Sequence, residues 1–343
     1  MSKSDSPRGT SRRDFLKTGA LAAGVAAASV IETPSAAALP APFNPATEGA
    51  MPTRNLGKTG HKVGIFSLGG QATVEVPNKE AEAVAIVEKA IDLGVNYIDT
   101  AAQYGGQERW SQRYIGQVMK RRRKEVYLAS KTHDRTRDGS LKLLEESLRL
   151  LNTDHLDAWQ LHHITTQDDV DRIFAKGGAI EALQQAKEQK MVRFCGVTGH
   201  TDPGVLMQCI ERFPFDQILM ALNPADPHRL SFQEKLVPMA VEKQMGIIGM
   251  KIPARGRILN VPPQGPYATP NSKPGPLSIK EAMYYVLSLP VSTIIIGCDS
   301  VEQLTENVQL ARDFTPLNQT QMAGLTERSE PVARQALFFR RWS

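Results

Sequence analysis

Four side chains, Asp99, Tyr104, Lys131 and His162, stand at or just past the ends of successive short apolar runs. Within GVNYIDTAAQYGG (94–106) a carboxylate falls where a strand stops, and a phenol follows five positions later in a small Gly-ended loop. YLASK (127–131) ends in an ammonium and DAWQLH (157–162) in an imidazole. One such pair alone reads as a strand-end cap with a packed ring over it. Four groups delivered by consecutive runs read as a catalytic rim. A phenol titrates near about 10 and is a poor proton donor at neutral pH, whereas an adjacent ammonium favours the phenolate and lowers that value. Asp99 would hold Lys131 charged and in place, and His162 would turn a carbonyl oxygen toward the Tyr104 hydroxyl. Such a set protonates a carbonyl while hydride arrives from elsewhere.

The elements that must position these groups alternate along the chain. Residues 54–64 read as a hairpin. Apolar strands follow at 65–68, around Tyr97 up to Asp99, and at 126–130, 156–161, 192–197, 217–221, 246–250 and 293–296. Helices are expected at 78–93, 108–119, 140–150, 179–189, 204–211, 232–243, 279–287 and 301–311, the first with Ala81, Val84, Ala85, Val87, Ala90 and Ile91 at helical spacing. Eight strand–helix units, one carrying a long Pro/Gly-rich connection at 259–276, fit a (β/α)8 TIM barrel better than a doubly wound sheet. Active sites of such barrels lie at the C-terminal strand ends, where the four groups fall. Gly69-Gly70 alone supplies no dinucleotide fingerprint after the first strand.

A chain of 343 residues with 41% apolar and 22% charged residues can bury a full core. A net charge of +5 with no basic stripe interleaved with aromatics argues against nucleic acid as a partner. The run KRRRK (120–124) reads as a solvated helix C-terminus. Cys195, Cys209 and Cys298 are too widely spaced for a cluster, a zinc ribbon or a disulfide framework. At the N-terminus SRRDFLK (11–17) precedes a weakly apolar Ala/Gly/Val stretch, and Ala36 and Ala38 offer a cleavage site. Residues 1–38 are therefore expected to be a twin-arginine signal peptide, 39–52 a linker outside the fold, 53–315 the barrel and 316–343 a docking tail. The expected partner during export is the twin-arginine translocase, the destination is periplasmic or extracellular, the apolar stretch is too short and Ala-rich for a membrane span, and no stable span is expected after cleavage.

GVNYIDTAAQYGG, YLASKT and DAWQLHH, in that order, resemble the aldo-keto reductases, and the similarity runs over about 54–312. The resemblance implies Asp99 and Lys131 as an activating pair, Tyr104 as general acid or base and His162 as the carbonyl-orienting group. It further implies NADP(H) or NAD(H) in an extended pose. Thr198 and Gln217 would contact the carboxamide, and Met250 would lie against the nicotinamide. The loop with Lys251, Arg255 and Arg257 would take the pyrophosphate, and Gly297, Asp299, Gln303 and Asn307 would surround the adenine end.

The chain departs from the family at three places. Thr198-Gly199 replaces Ser-Asn, Met250 replaces an aromatic, and Asp299-Ser300 stands where a cation often pairs with a 2'-phosphate. An anion there disfavours NADP(H) and makes NAD(H) a candidate, unless Asp299 faces solvent and Arg255 or Arg257 takes the phosphate. Export suggests a carbonyl, sugar or polyol substrate and a cofactor retained through turnover. Two other readings stand beside the oxidoreductase. His133, His162, His163 and His200 past strand ends could serve a metal-dependent hydrolase, which would leave Lys131 and Tyr104 idle. A cofactor-binding regulatory subunit could keep the same residues.

Overall fold

The computed structural model describes residues 39–262 and 273–342. The expected signal peptide, 1–38, and the middle of the long 259–276 connection lie outside the described residues. Two short strands, β1 (Thr53–Asn55) and β2 (Lys62–Gly64), pair antiparallel as a hairpin. Eight parallel strands follow: β3 (Phe66–Gly69), β4 (Tyr97–Asp99), β5 (Tyr127–Thr132), β6 (Leu156–Leu161), β7 (Val192–Gly199), β8 (Gln217–Ala221), β9 (Gly246–Met250) and β10 (Thr293–Ile296). They close into a barrel when β10 pairs with β3. This is the (β/α)8 architecture expected from the alternation of runs.

Two apolar layers follow from the period-two alternation of the strands. Outward residues such as Ile98, Leu128, Trp159 and Ile218 join the helices in one cluster. Inward residues Tyr97, Tyr127, Ala129, Ala158, Leu219, Ile248 and Ile295 fill the barrel, closed from below by Leu56 and Val63 of the hairpin. Gly57 makes that closure possible: its φ is +53°, and an added Cβ would lie 2.2 Å from the Gly246 nitrogen.

Several expectations need correction. Helix Glu80–Asp92 buries Ala83, Ile86, Val87, Ala90 and Ile91, while Ala81 and Ala85 are exposed. The predicted stripe was rotated because an alanine-rich helix offers two plausible faces. Helix Trp110–Arg122 starts late because Arg109 has a φ of 54° and cannot belong to it. Helix Leu236–Glu242 also starts late: the backbone N–H groups of Phe232 and Gln233 donate to the Asp226 carboxylate at 3.2 Å each instead of entering a helical turn. Helices Gln167–Phe174 and Gln319–Ser329 were not expected at all.

The basic run 120–124 does more than end a helix in solvent. Arg122 bonds Glu88, Asp92 and Glu125, joining two neighbouring helices. Arg123 pairs at 2.8 Å with Asp157, a fully buried carboxylate that Arg193 also meets at 3.1 Å. Nor is 39–52 a free linker. Asn44 is buried and donates to the carbonyls of Ile91 and Val95 at 2.8 and 3.3 Å, Phe43 N–H donates to Lys124 O at 2.8 Å, and Thr47–Ala50 forms a helical turn.

Candidate active site

The inward parity of β4 puts Asp99 one layer above Tyr97, at the barrel mouth. β5 likewise raises Lys131 two layers above Tyr127. Their side chains meet in a buried ion pair. Lys131 Nζ also donates to the Thr100 carbonyl at 2.8 Å and to the Tyr104 hydroxyl at 3.3 Å, so its three hydrogens are all committed. Gln160 on β6 donates to the other Asp99 oxygen at 3.1 Å. Tyr104 arrives on the loop after β4. Gly105 follows it with a φ of +82°, and a Cβ there would come 2.5 Å from the Trp110 nitrogen. His162 leaves β6 with its backbone N–H on Thr132 O at 2.8 Å, its ring edge-on to Tyr104 at 5.7 Å between centroids. The structure therefore brings Asp99, Tyr104, Lys131 and His162 together.

The electrostatics differ from the expected lowering of the phenol pKa. Burial, and after it the Asp99 charge, holds Tyr104 well above its ordinary value; of the nearby cations, Arg255 pulls it down. Asp99 answers the Lys131 charge, so little is left to favour a phenolate. Lys131 is itself lowered by burial against the upward pull of Asp99. His162 is driven well below its ordinary value by burial and then by Lys131, which leaves a neutral imidazole. Its Nδ1 has no hydrogen-bond partner among the described residues. The mouth thus presents a neutral phenol and a neutral imidazole around one compensated ion pair, a set suited to donating a proton to a carbonyl oxygen.

A cleft of about 530 Å³ opens beside this set, lined by Asp99 and Tyr104 at one end and by Gly297, Asp299, Gln303 and Asn307 at the other. Leu219, Met250, Lys251 and Arg255 line it too. Other expected residues lie elsewhere. Gln217 is fully buried one layer below the mouth; its Nε2 donates to Tyr97 Oη at 2.9 Å and its Oε1 accepts from Tyr127 Oη at 3.0 Å. Both ends of its amide are engaged, and Leu219, two residues on, is what β8 offers the cleft. Thr198 is buried, its hydroxyl accepting from the His163 N–H at 2.9 Å. Arg257 lies outside the cleft lining, its guanidinium 4.3 Å from the Phe338 ring centroid.

Sequence reasoning missed Leu219, Gln71 and Gln160. Gln160 was within reach of it, since it shares the inward parity of β6 two residues before His162. His163 and His200 face one another, Nδ1 to Nδ1 at 2.9 Å. Among the described residues no three His, Cys, Asp or Glu side chains are placed to hold a metal.

The cleft fits a nicotinamide dinucleotide on its own features. Leu219 and Met250 give the cleft apolar lining, and Lys251 and Arg255 supply positive charge to it. At the far end Gly297 is bare where a Cβ would lie 3.0 Å from Gln71 O. Ser300 there caps helix Val301–Arg312 through the Gln303 N–H. Asp299 lines that end with one carboxylate oxygen unpartnered among the described residues.

Comparison with known proteins agrees with this geometry. Residues 62–330 match the model of the Aldo/keto reductase family. The uncharacterized oxidoreductase YqkF of Bacillus subtilis (strain 168) is 26% identical over 295 residues, covering 76% of this chain and 91% of that protein. L-galactose dehydrogenase of Arabidopsis thaliana is 28% identical over 298 residues, covering 78% and 90%. Among solved structures, aldo-keto reductase AKR11C1 from Bacillus halodurans in its holo form superposes with a TM-score of 0.67 at 24% identity, covering 81% of this chain and 96% of that one.

Proposed function

Because the chain belongs to the aldo/keto reductase family and is an NAD(P)-dependent oxidoreductase, as its relatives are oxidoreductases, we propose that it interconverts a small carbonyl compound and its alcohol with Tyr104 moving the proton. The observation that carries this reading is the buried chain Asp99–Lys131–Tyr104 at the head of the cleft. When bound, the nicotinamide cofactor supplies or accepts the hydride. Lys131 donates to the Tyr104 oxygen, so the phenolic proton is left to point into the cleft. Passing that proton to a carbonyl oxygen leaves negative charge on Tyr104, and Lys131, already in contact, stabilises it. Neutral His162 donates a second hydrogen bond to the same carbonyl oxygen and fixes its direction, while Gln160 keeps Asp99 aligned.

Tyr104→Phe should lower kcat by about 10²- to 10⁴-fold with little change in nucleotide affinity measured by fluorescence titration. A fully active variant, or a wild-type protein that binds neither NADH nor NADPH, would overturn the reading.

Two finer points belong to this proposal. Asp299 in the cleft lining supports NAD(H) over NADP(H), because a carboxylate beside a 2'-phosphate is unfavourable. On that basis Asp299→Ser should tighten NADPH binding and leave NADH binding almost unchanged. The motif SRRDFLK with its following apolar stretch supports export by the twin-arginine route. Replacing both Arg12 and Arg13 by Lys should trap the precursor in the cytoplasm in a fractionation experiment. Export in turn favours a sugar, a polyol or an oxidised extracellular carbonyl as substrate, and the resemblance to an L-galactose dehydrogenase points the same way.

A further inference from the structure

Tyr104 rides on a loop with little stiffness of its own. Residues 100–109 run from the end of β4 to helix Trp110–Arg122, and within them Gly105, Gly106 and Arg109 have positive φ, at 82°, 66° and 54°. A Cβ on Gly106 would meet nothing within 4 Å. Such a segment keeps one shape only if its two ends are fixed.

Hydroxyls behind the strands fix both ends. Thr100, the residue after Asp99, and Ser111, in the first turn of helix Trp110–Arg122, meet Oγ1 to Oγ at 2.8 Å and close the loop. Beside Ser111, Gln112 donates both Nε2 hydrogens, to Ser130 Oγ and to Ser147 Oγ at 2.9 Å each. Ser130 directly precedes Lys131 on β5 and shares the outward parity of Leu128. All five side chains are fully buried, in the layer between strands and helices that Ile98, Ile115, Leu128 and Leu144 otherwise fill. Gly70 makes room for the pair: an added Cβ would lie 2.5 Å from Ser111 Oγ and 3.2 Å from Thr100 Cβ. The Thr100 carbonyl accepts from Lys131 Nζ at 2.8 Å, so the residue that closes the Tyr104 loop also holds the lysine that Tyr104 meets.

Packing alone does not require these hydroxyls, because a buried hydrogen-bonded pair replaced on both sides by apolar groups of the same shape can be nearly neutral in stability. Building on the carbonyl–alcohol reading above, we propose that Thr100, Ser111 and Gln112 are positioning residues. They tie both ends of the Tyr104 loop to β4 and β5, and so keep the phenol oxygen on Lys131 at the head of the cleft.

The test uses the whole protein, 4-nitrobenzaldehyde with saturating NADH or NADPH, and urea unfolding. Thr100→Val with Ser111→Ala removes both hydroxyls and strands neither. Its unfolding midpoint should stay near that of the wild type and its nucleotide affinity should hold, while kcat falls about 10- to 100-fold, as a small misplacement of a reacting group can cause. Thr100→Ser keeps the hydroxyl and should keep kcat. Ser67→Ala breaks another buried hydroxyl pair, Ser67 to Thr293 at 2.8 Å, and should lower the midpoint but spare kcat. Unfolding also reads the effect without substrate. Tyr104→Phe should shift the midpoint less in the double variant than in the wild type, because the contact with Lys131 is already loosened there. Unchanged kcat in the double variant, or an equal loss in Ser67→Ala, overturns the proposal alone. Where the aldehyde is not turned over, equal Tyr104→Phe shifts in the two backgrounds do the same. A wild-type protein that binds neither nucleotide overturns the oxidoreductase reading and this proposal with it.

Discussion

Burial first, and the Asp99 charge after it, keeps Tyr104 a neutral phenol at the mouth, while Asp99 offsets the desolvation of Lys131. Removing one partner of such a buried pair should cost more than removing both. Lys131→Met should destabilise the protein by about 3–5 kcal/mol by stranding the Asp99 carboxylate, and Lys131→Met with Asp99→Asn should recover much of that in urea unfolding. Lys251 gives a second residue-scale outcome. Desolvation, and after it the charges of Arg255 and Lys131, lower its pKa to about 7 against the upward pull of Glu75 and Asp99. The ammonium is present below that value and is lost as pH rises through it. Because Lys251 lines the nucleotide cleft, nucleotide affinity in a fluorescence titration should weaken between about pH 6 and 8. Asp99, Tyr104, Lys131 and His162 were legible in the sequence because each ends an apolar run or follows closely on one. Gln217 misled, since the motif that marked it does not say which layer of the barrel it occupies. Leu219, the residue that reaches the cleft, looks like any core leucine.

At the scale of elements, strands were easier to read than helices. β6, β8, β9 and β10 have the bounds the apolar runs implied, because a strand buried on both faces reads as a near-continuous apolar run, here interrupted by Asp157 and Gln160 in β6 and by Gln217 in β8. A helix shows a stripe, and alanine blurs its edges. In helix Glu80–Asp92 the buried Ala83 and Ile86 define a face rotated from the expected one. Ile86→Ala should therefore cost about 2–5 kcal/mol in thermal or urea unfolding, whereas Ala85→Lys, on the exposed side, should change stability by less than about 0.5 kcal/mol. Helix Gln167–Phe174 went unread because it is short and polar. Its start is fixed by a reciprocal cap between Thr166 and Asp169, a signal only four residues long.

At the scale of the whole molecule, the two ends described here are tied to the barrel by buried polar bonds that hydrophobic patterning cannot show. Near the C-terminus Arg340 enters a buried site. Its guanidinium donates to Asp226 Oδ1 at 2.6 Å and to the carbonyls of Ala221 and Arg229 at 3.2 and 3.0 Å, and both members of the ion pair are fully buried. Phe339 beside it packs edge-on against His200, 5.9 Å between ring centroids. Arg340→Met should lower stability by about 3–5 kcal/mol, and Arg340→Met with Asp226→Asn by less, in a double-mutant cycle followed by circular dichroism. Asp226 precedes its partner by more than a hundred residues, and Arg340 follows every strand of the barrel. Domains generally begin to fold during synthesis from the N-terminal side. A nascent chain would thus build its strands around an Asp226 that still lacks its cation, and Arg340 would enter afterwards. The last polar lock of the barrel therefore closes after its last strand is made.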